Sequence, residues 1–176
     1  MKPEIYSWNL HEQSLMGQAK FPSQPKIKIF DHSELRADLE RQLELLSHKE
    51  LAEWALVNAQ PFLVYLNAPR ISDPRIQQAI DAFQQKIAGE ISAYEFRQAG
   101  FLANQIAKES KTPIEKYAAR VFAQAIATAH MRGHALVSAD YSVKVFNLLF
   151  PDNQTEVLKL RQKQIKTAQQ KGEENR

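Results

Sequence analysis

Thr112-Pro113-Ile114-Glu115-Lys116-Tyr117-Ala118-Ala119-Arg120-Val121-Phe122-Ala123-Gln124-Ala125-Ile126-Ala127-Thr128-Ala129 is the stretch on which the fold turns. A hydroxyl residue suited to an N-cap is followed by Pro at the first helical position, where a missing N–H leaves no bond unmade. Glu stands three residues past the hydroxyl, the spacing of a capping box. Behind that start Ile114, Ala118, Val121, Phe122, Ala125, Ile126 and Ala129 recur at helical spacing and line one face. A half-buried strand would alternate with period two, which this stretch does not do. The spacing predicts a core α-helix, and its many Ala residues predict close approach of neighbouring helices.

The same punctuation repeats outward from it. Ser47 with Glu50 and Ser92 with Glu95 repeat the capping-box spacing, Thr112 being the strongest of the three because of Pro113, and Asp73-Pro74 marks a fourth start. Apolar stripes follow each start: Leu35, Leu39, Leu43 and Leu46; then Leu51, Trp54, Ala55, Asn58, Ala59 and Phe62, with a bend or break expected at Pro61. Ile76, Ala79, Ile80, Phe83 and Ile87 end at Gly89, placed as a C′ residue; Phe96, Ala99, Ala103, Ile106 and Ala107 make the next stripe. Gly133 either ends or kinks the quoted helix. A further segment runs from His134 to Phe150 and stops at Pro151, and Asp152 reads as the cap of a last helix to about Gln170, with a thin face of Val157, Leu158, Leu160 and Ile165.

The expectation is an all-α, single-domain bundle of about seven helices over residues 33–170, with a frayed tail at 171–176. Residues 1–32, with Pro3, Pro22 and Pro25, read as an extended N-terminal arm. The alternating run Lys26-Ile27-Lys28-Ile29-Phe30 has the form of a short edge strand, but no second strand stands nearby to pair with it.

Composition narrows the function. One domain fits 176 residues of which 44% are hydrophobic. The net charge of +3 comes from the ends: residues 1–30 hold four basic and two acidic residues and 151–176 hold six and four, so the body is nearly neutral and nucleic acid is not expected as a partner. The absence of Cys excludes disulfides, thiolate nucleophiles and Cys-ligated metals. No apolar run approaches the roughly 20 residues that span a bilayer, so a cytoplasmic chain without membrane contact is expected. With no phosphate loop, dinucleotide fingerprint or G-x-S-x-G elbow, no cofactor and no serine-hydrolase chemistry are expected.

Two constellations remain. His130 and His134, at i and i+4, would share a helix face and a metal ion if the helix ran through Gly133, with Tyr141 on the same side. Met131 stands where H-E-x-x-H would need Glu, however, and Asp140 lies well round from His134. Packing at a helix crossing is therefore the preferred reading, with no metal and no catalytic residue assigned, and a metal- or His-dependent enzyme centred on His130, His134 and Tyr141 is the alternative. The second constellation is acidic. Between Asp31 and Glu53 lie seven acids and three bases, and Asp31, Glu34, Asp38, Glu40 and Glu44 form a face able to steer a basic protein partner.

The order Glu53-Trp54-Ala55, then Asp73-Pro74-Arg75 with Ala79-Ile80, Gly89-Glu90-Ile91, and Ala127-Thr128-Ala129-His130 with His134-Ala135 and Tyr141 resembles the Imm-5-like immunity proteins of bacterial polymorphic toxin systems, over residues 34–150. The chain departs from that pattern at Asn58 and at Phe122-Ala123-Gln124. The resemblance implies an all-helical, non-enzymatic cytoplasmic protein that protects its producer by binding a cognate protein toxin. It also implies that Trp54, Asp73, Pro74, Arg75, Gly89, Glu90, Thr128, His130, His134 and Tyr141 are structural. A helical scaffold or regulatory module with another protein partner is the remaining alternative, and the oligomeric state is left open.

Overall fold

The computed structural model describes residues 2–18, 20–67 and 72–174. Among them every regular element is helical. Seven long helices carry the body: α3 (Ser33–Glu44), α4 (His48–Ala59), α5 (Pro74–Ala88), α6 (Ala93–Glu109), α7 (Pro113–Ala127), α8 (His134–Leu149) and α9 (Gln154–Glu173). Two short ones, α1 (Pro3–Tyr6) and α2 (Leu10–Leu15), precede them.

Local chemistry accounts for most of the boundaries. Full capping boxes form at Ser47/Glu50 and Ser92/Glu95. Thr112 also caps, its hydroxyl accepting from the Glu115 N–H at 3.2 Å, but the buried Glu115 carboxylate takes the Lys111 N–H rather than that of Thr112. The expected ranking of the three is thus reversed, because Glu115 is drawn one residue further back. Asp73 caps α5 with Pro74 at its first position, and Gly89 ends it at φ 76° while the Glu90 N–H returns to the Gln85 carbonyl. Pro61 converts the chain after Ala59 into a 3-10 segment, Gln60–Tyr65. Asp152 is not the last cap: it occupies the left-handed region at φ 60°, and Asn153 precedes α9. The helix then continues through Lys171 to Glu173, past the expected start of fraying, and residues 175 and 176 lie outside the described residues.

Helix α7 is the central element. It packs against α6 on one side, α8 on the other, and α4 and the 3-10 segment along its length. Ala118, Ala119, Ala123 and Ala125 are buried, which allows these axes to approach closely, while Phe122 and Ile126 fill the space between them. Beyond α6 lies α5. On the far side α9 joins α4 and α8, and α3 packs on α9.

The stretch expected as an extended arm holds α1 and α2, followed by an irregular run to His32. Its alternation is real: Ile27 and Ile29 turn inward and Lys26, Lys28 and Phe30 outward. No strand pairs with it. The side-chain amide of Asn147 on α8 takes that place, accepting from the Phe30 N–H and donating to the Phe30 carbonyl, both at 2.9 Å.

Candidate functional site

Charged residues occupy the apolar stripes of three helices, and they meet inside the bundle. Arg36 lies beside Leu39 and Leu43 on the buried side of α3, Asp140 among Ser138, Ala139 and Val143 on α8, and Arg161 with Gln164 between Val157, Leu160 and Ala168 on α9. Arg36 grips Asp140 through Nε and Nη2 at 3.0 and 2.9 Å. Arg161, whose side chain is 0% exposed, donates to the other side of the same carboxylate at 2.7 Å and to Asp31 at 2.6 Å. Gln164 accepts from Arg161 and donates to Ser142. Two cations and two anions therefore balance in the interior. Pairing with several charge-assisted bonds is the condition under which buried ions are tolerated.

A second polar cluster ties residues 2–18 and 20–23 to the body. Arg132, in the turn between α7 and α8, donates to the carbonyls of Tyr6, Leu43 and Leu46, and its guanidinium stacks 3.6 Å from the centre of the Tyr6 ring. Its backbone N–H donates to Glu12, and the Tyr6 hydroxyl donates to Glu44. Burial, helped by the Glu44 hydrogen bond, pushes the Tyr6 phenol up to about 12. His48 is enclosed between Trp8, stacked on it at 4.3 Å, and the Thr128 carbonyl at 2.5 Å from Nε2, and burial lowers its pKa to about 4. Burial also raises the pKa of Glu12, which lies 3.5 Å from His48 Nδ1. Between this segment and α3, α8 and the α7–α8 turn lies a cavity of about 370 Å³, with Leu15, Met16 and Phe21 on one wall and Leu43, Leu51 and Leu136 on another. Of its wall charges, Glu12, Arg36, Glu40, Glu44, Arg132 and Asp140 are each bonded to the protein, and exposed Lys26 also lines it. What they supply is attachment of the arm.

The five acids read as a steering face separate on folding. Asp31 is the partner of Arg161; Glu40 is buried and accepts from the Ser23 N–H; Glu44 accepts from Tyr6. Glu34 is exposed, and Asp38 is paired with Arg41 at the surface. Helix α9, beside α3, presents exposed Lys159, Lys163 and Lys166, so the local excess of acid is diluted across the two helices.

The histidines do not share a helix face. Helix α7 ends at Ala127 and α8 begins at His134, with a turn from Thr128 to Gly133 between them, so the i, i+4 geometry is lost. His134 Nδ1 bonds the Gln124 side chain at 2.7 Å, and burial lowers its pKa to about 4. Half-buried His130 is likewise lowered, by burial and then by Arg97 and Lys86. Tyr141 stacks on Tyr117, with ring centres 6.0 Å apart. Among the described residues no three His, Asp or Glu side chains are grouped to hold a metal ion.

The other residues singled out have structural positions. Buried Trp54 donates from Nε1 to Thr167 at 3.0 Å, joining α4 to α9. Arg75 bridges Asp73 and Glu109, the latter through two bonds at 3.0 and 2.8 Å, joining α5 to the end of α6. Thr128 is buried and returns its hydroxyl to the Gln124 carbonyl. Sequence reasoning missed Glu12, Arg36, His48, Arg132 and Arg161. The available signal was position: Arg36 and Arg161 stand on buried stripes where an apolar residue is expected.

A family model described as "Imm-5 like putative immunity protein" matches residues 41–171. No curated protein and no solved structure matches the chain.

Proposed function

The chain belongs to the Imm-5 like immunity protein family, and from that premise we propose that it protects the cell that makes it by binding a protein toxin stoichiometrically and blocking it, without catalysis of its own. One observation carries the non-catalytic part of this reading: the buried ionisable groups are consumed in holding helices together. Asp140 and Asp31 neutralise Arg36 and Arg161, Arg132 ties down the N-terminal segment, and burial disfavours the charged forms of His48 and His134, each of which has one ring nitrogen hydrogen-bonded, Nε2 to the Thr128 carbonyl and Nδ1 to Gln124. A general base needs a reachable proton and a poised pKa, and these histidines have neither. Such an interior makes a rigid body, and a rigid body suits occlusion, since little ordering entropy is lost on docking.

On α3 Glu34 faces outward and Asp38 is paired with Arg41, so little of the expected acidic face remains to steer a basic partner. Expression of a candidate toxin domain, sought among the neighbouring genes, with and without the chain tests the function. Growth rescue together with a 1:1 complex by calorimetry is expected. Toxicity undiminished by the co-expressed, folded chain refutes it, and rescue at strongly substoichiometric levels would point to an enzyme instead.

A further inference from the structure

Helix α6 buries Phe96, Ala99, Ala103, Ile106 and Ala107, and its opposite side is exposed among the described residues. On that outer side Tyr94 and Phe101 are 69% and 61% exposed. Seven residues is almost two helical turns, so the rings stand on one line about 10 Å apart. Exposed Gln98 lies between them. Large exposed aromatics on a single line are unusual for a solvated face, and Tyr and Arg are the residue types that dominate binding energy at protein interfaces.

The flanks of this line differ in charge. On one side stand exposed Arg97 and Lys108, with Asn104 holding the guanidinium of Arg120 from α7 at 2.8 Å. Among the described residues no carboxylate pairs with these three cations. On the other side the acids are occupied: Glu95 closes the cap at Ser92 and Glu109 is held by Arg75. The positive field reaches the α7–α8 turn, where Arg97 and Lys86 both disfavour protonation of His130.

We infer that the outer face of α6, anchored by Tyr94 and Phe101 and flanked by Arg97, Lys108 and Arg120, is the surface that docks an acidic, partly apolar patch of the toxin. This rests on the toxin-binding reading above and gives it a location. Helices α3 and α6 lie at opposite sides of the bundle, with α9, α4, α8 and α7 between them, so one compact toxin domain meets one surface or the other. Of these two helices α6 is the one with exposed aromatic anchors in the middle and cations at the rim, the arrangement that separates affinity from steering.

The test uses the full chain and the purified toxin domain whose growth inhibition the chain relieves in the co-expression experiment above. Tyr94→Ala/Phe101→Ala is expected to weaken Kd by at least about 30-fold with an unchanged melting temperature. Arg97→Glu is expected to slow association roughly tenfold and to flatten its salt dependence. Hydrogen exchange on the unmodified complex is expected to slow across residues 93–109. Wild-type affinity in the double variant, with no protection of α6, overturns the location while leaving toxin binding intact. So does loss of binding in Glu34→Lys/Asp38→Lys alone. Capture of a labelled single-stranded oligonucleotide through Tyr94 and Phe101, with no toxin bound, overturns it in favour of nucleic acid. If the unmodified chain neither binds nor neutralises the toxin, the functional reading itself falls.

Discussion

Replacing Asp140 with Ala removes the acceptor that two interior arginines share. Asp140 takes three hydrogen bonds, from Arg36 at 3.0 and 2.9 Å and from Arg161 at 2.7 Å, and its side chain is 2% exposed. With it gone, Arg161 keeps Asp31, while Arg36 keeps only the Ser23 carbonyl at 2.5 Å. One uncompensated guanidinium is then left largely buried, its side chain 7% exposed. Breaking a buried pair from one side costs about 3–5 kcal/mol, and for a chain of this size each kcal/mol lowers Tm by about 2–4 °C. The expected fall is therefore about 6–20 °C, with a matching drop in the urea midpoint at constant m-value followed by far-UV circular dichroism. Asp140→Asn keeps the shape but not the charge and should lose most of the same stability, which separates electrostatics from packing. Combined with Arg36→Met, the loss should be less than additive by about 0.5–3 kcal/mol. A single-variant loss below about 1 kcal/mol, or strict additivity, would refute the reasoning.

Thr112→Ala should cost about 0.5–2 kcal/mol in a urea titration, since it removes the acceptor of the Glu115 N–H; an unchanged midpoint would show that the cap carries no weight. Gly89→Ala places a Cβ in open space but forces a left-handed φ of 76°, so a Tm loss equivalent to about 1–2 kcal/mol is expected, and no loss would mean the turn relaxes freely. Acid should weaken the fold: His48 and His134 stay neutral in the folded chain down to about pH 4 but take a proton near 6.5 when unfolded, so the unfolded state binds more protons in that window. Stability is then lost as pH falls from about 6.5 to about 4, partly offset by Glu12, whose raised pKa works in the opposite sense. Tm measured from pH 7.5 to 4.5 should fall less steeply in His48→Gln/His134→Gln, and equal slopes would remove the histidines from the account.

The sequence by itself determined the helical elements, because what starts and stops a helix lies within a few residues of its end. Ser47 and Glu50, Asp73 and Pro74, and Gly89 with Glu90 act through hydrogen bonds that close over at most a turn, and they work the same way in any surrounding. The apolar periodicity likewise placed Phe83, Phe96, Phe122 and Ile126 in the core before any packing was known. Even Thr112 erred only in which neighbour Glu115 reached. Tertiary structure alone decided the fate of the charges. Arg36 meets Asp140 across 104 residues and Arg161 meets Asp31 across 130, and no local rule relates positions so far apart. Asp31, Glu40 and Glu44 look like a solvated acidic face in one dimension. Their carboxyl oxygens become interior or arm-binding acceptors only when α9, Tyr6 and Ser23 fold against α3. The reverse holds for Tyr94 and Phe101, which stay at the surface because α6 turns its Ala-rich side to α7 and, among the described residues, its other side is left exposed. A side chain's polarity states what its burial would cost, and only the assembled neighbours determine whether that cost is met.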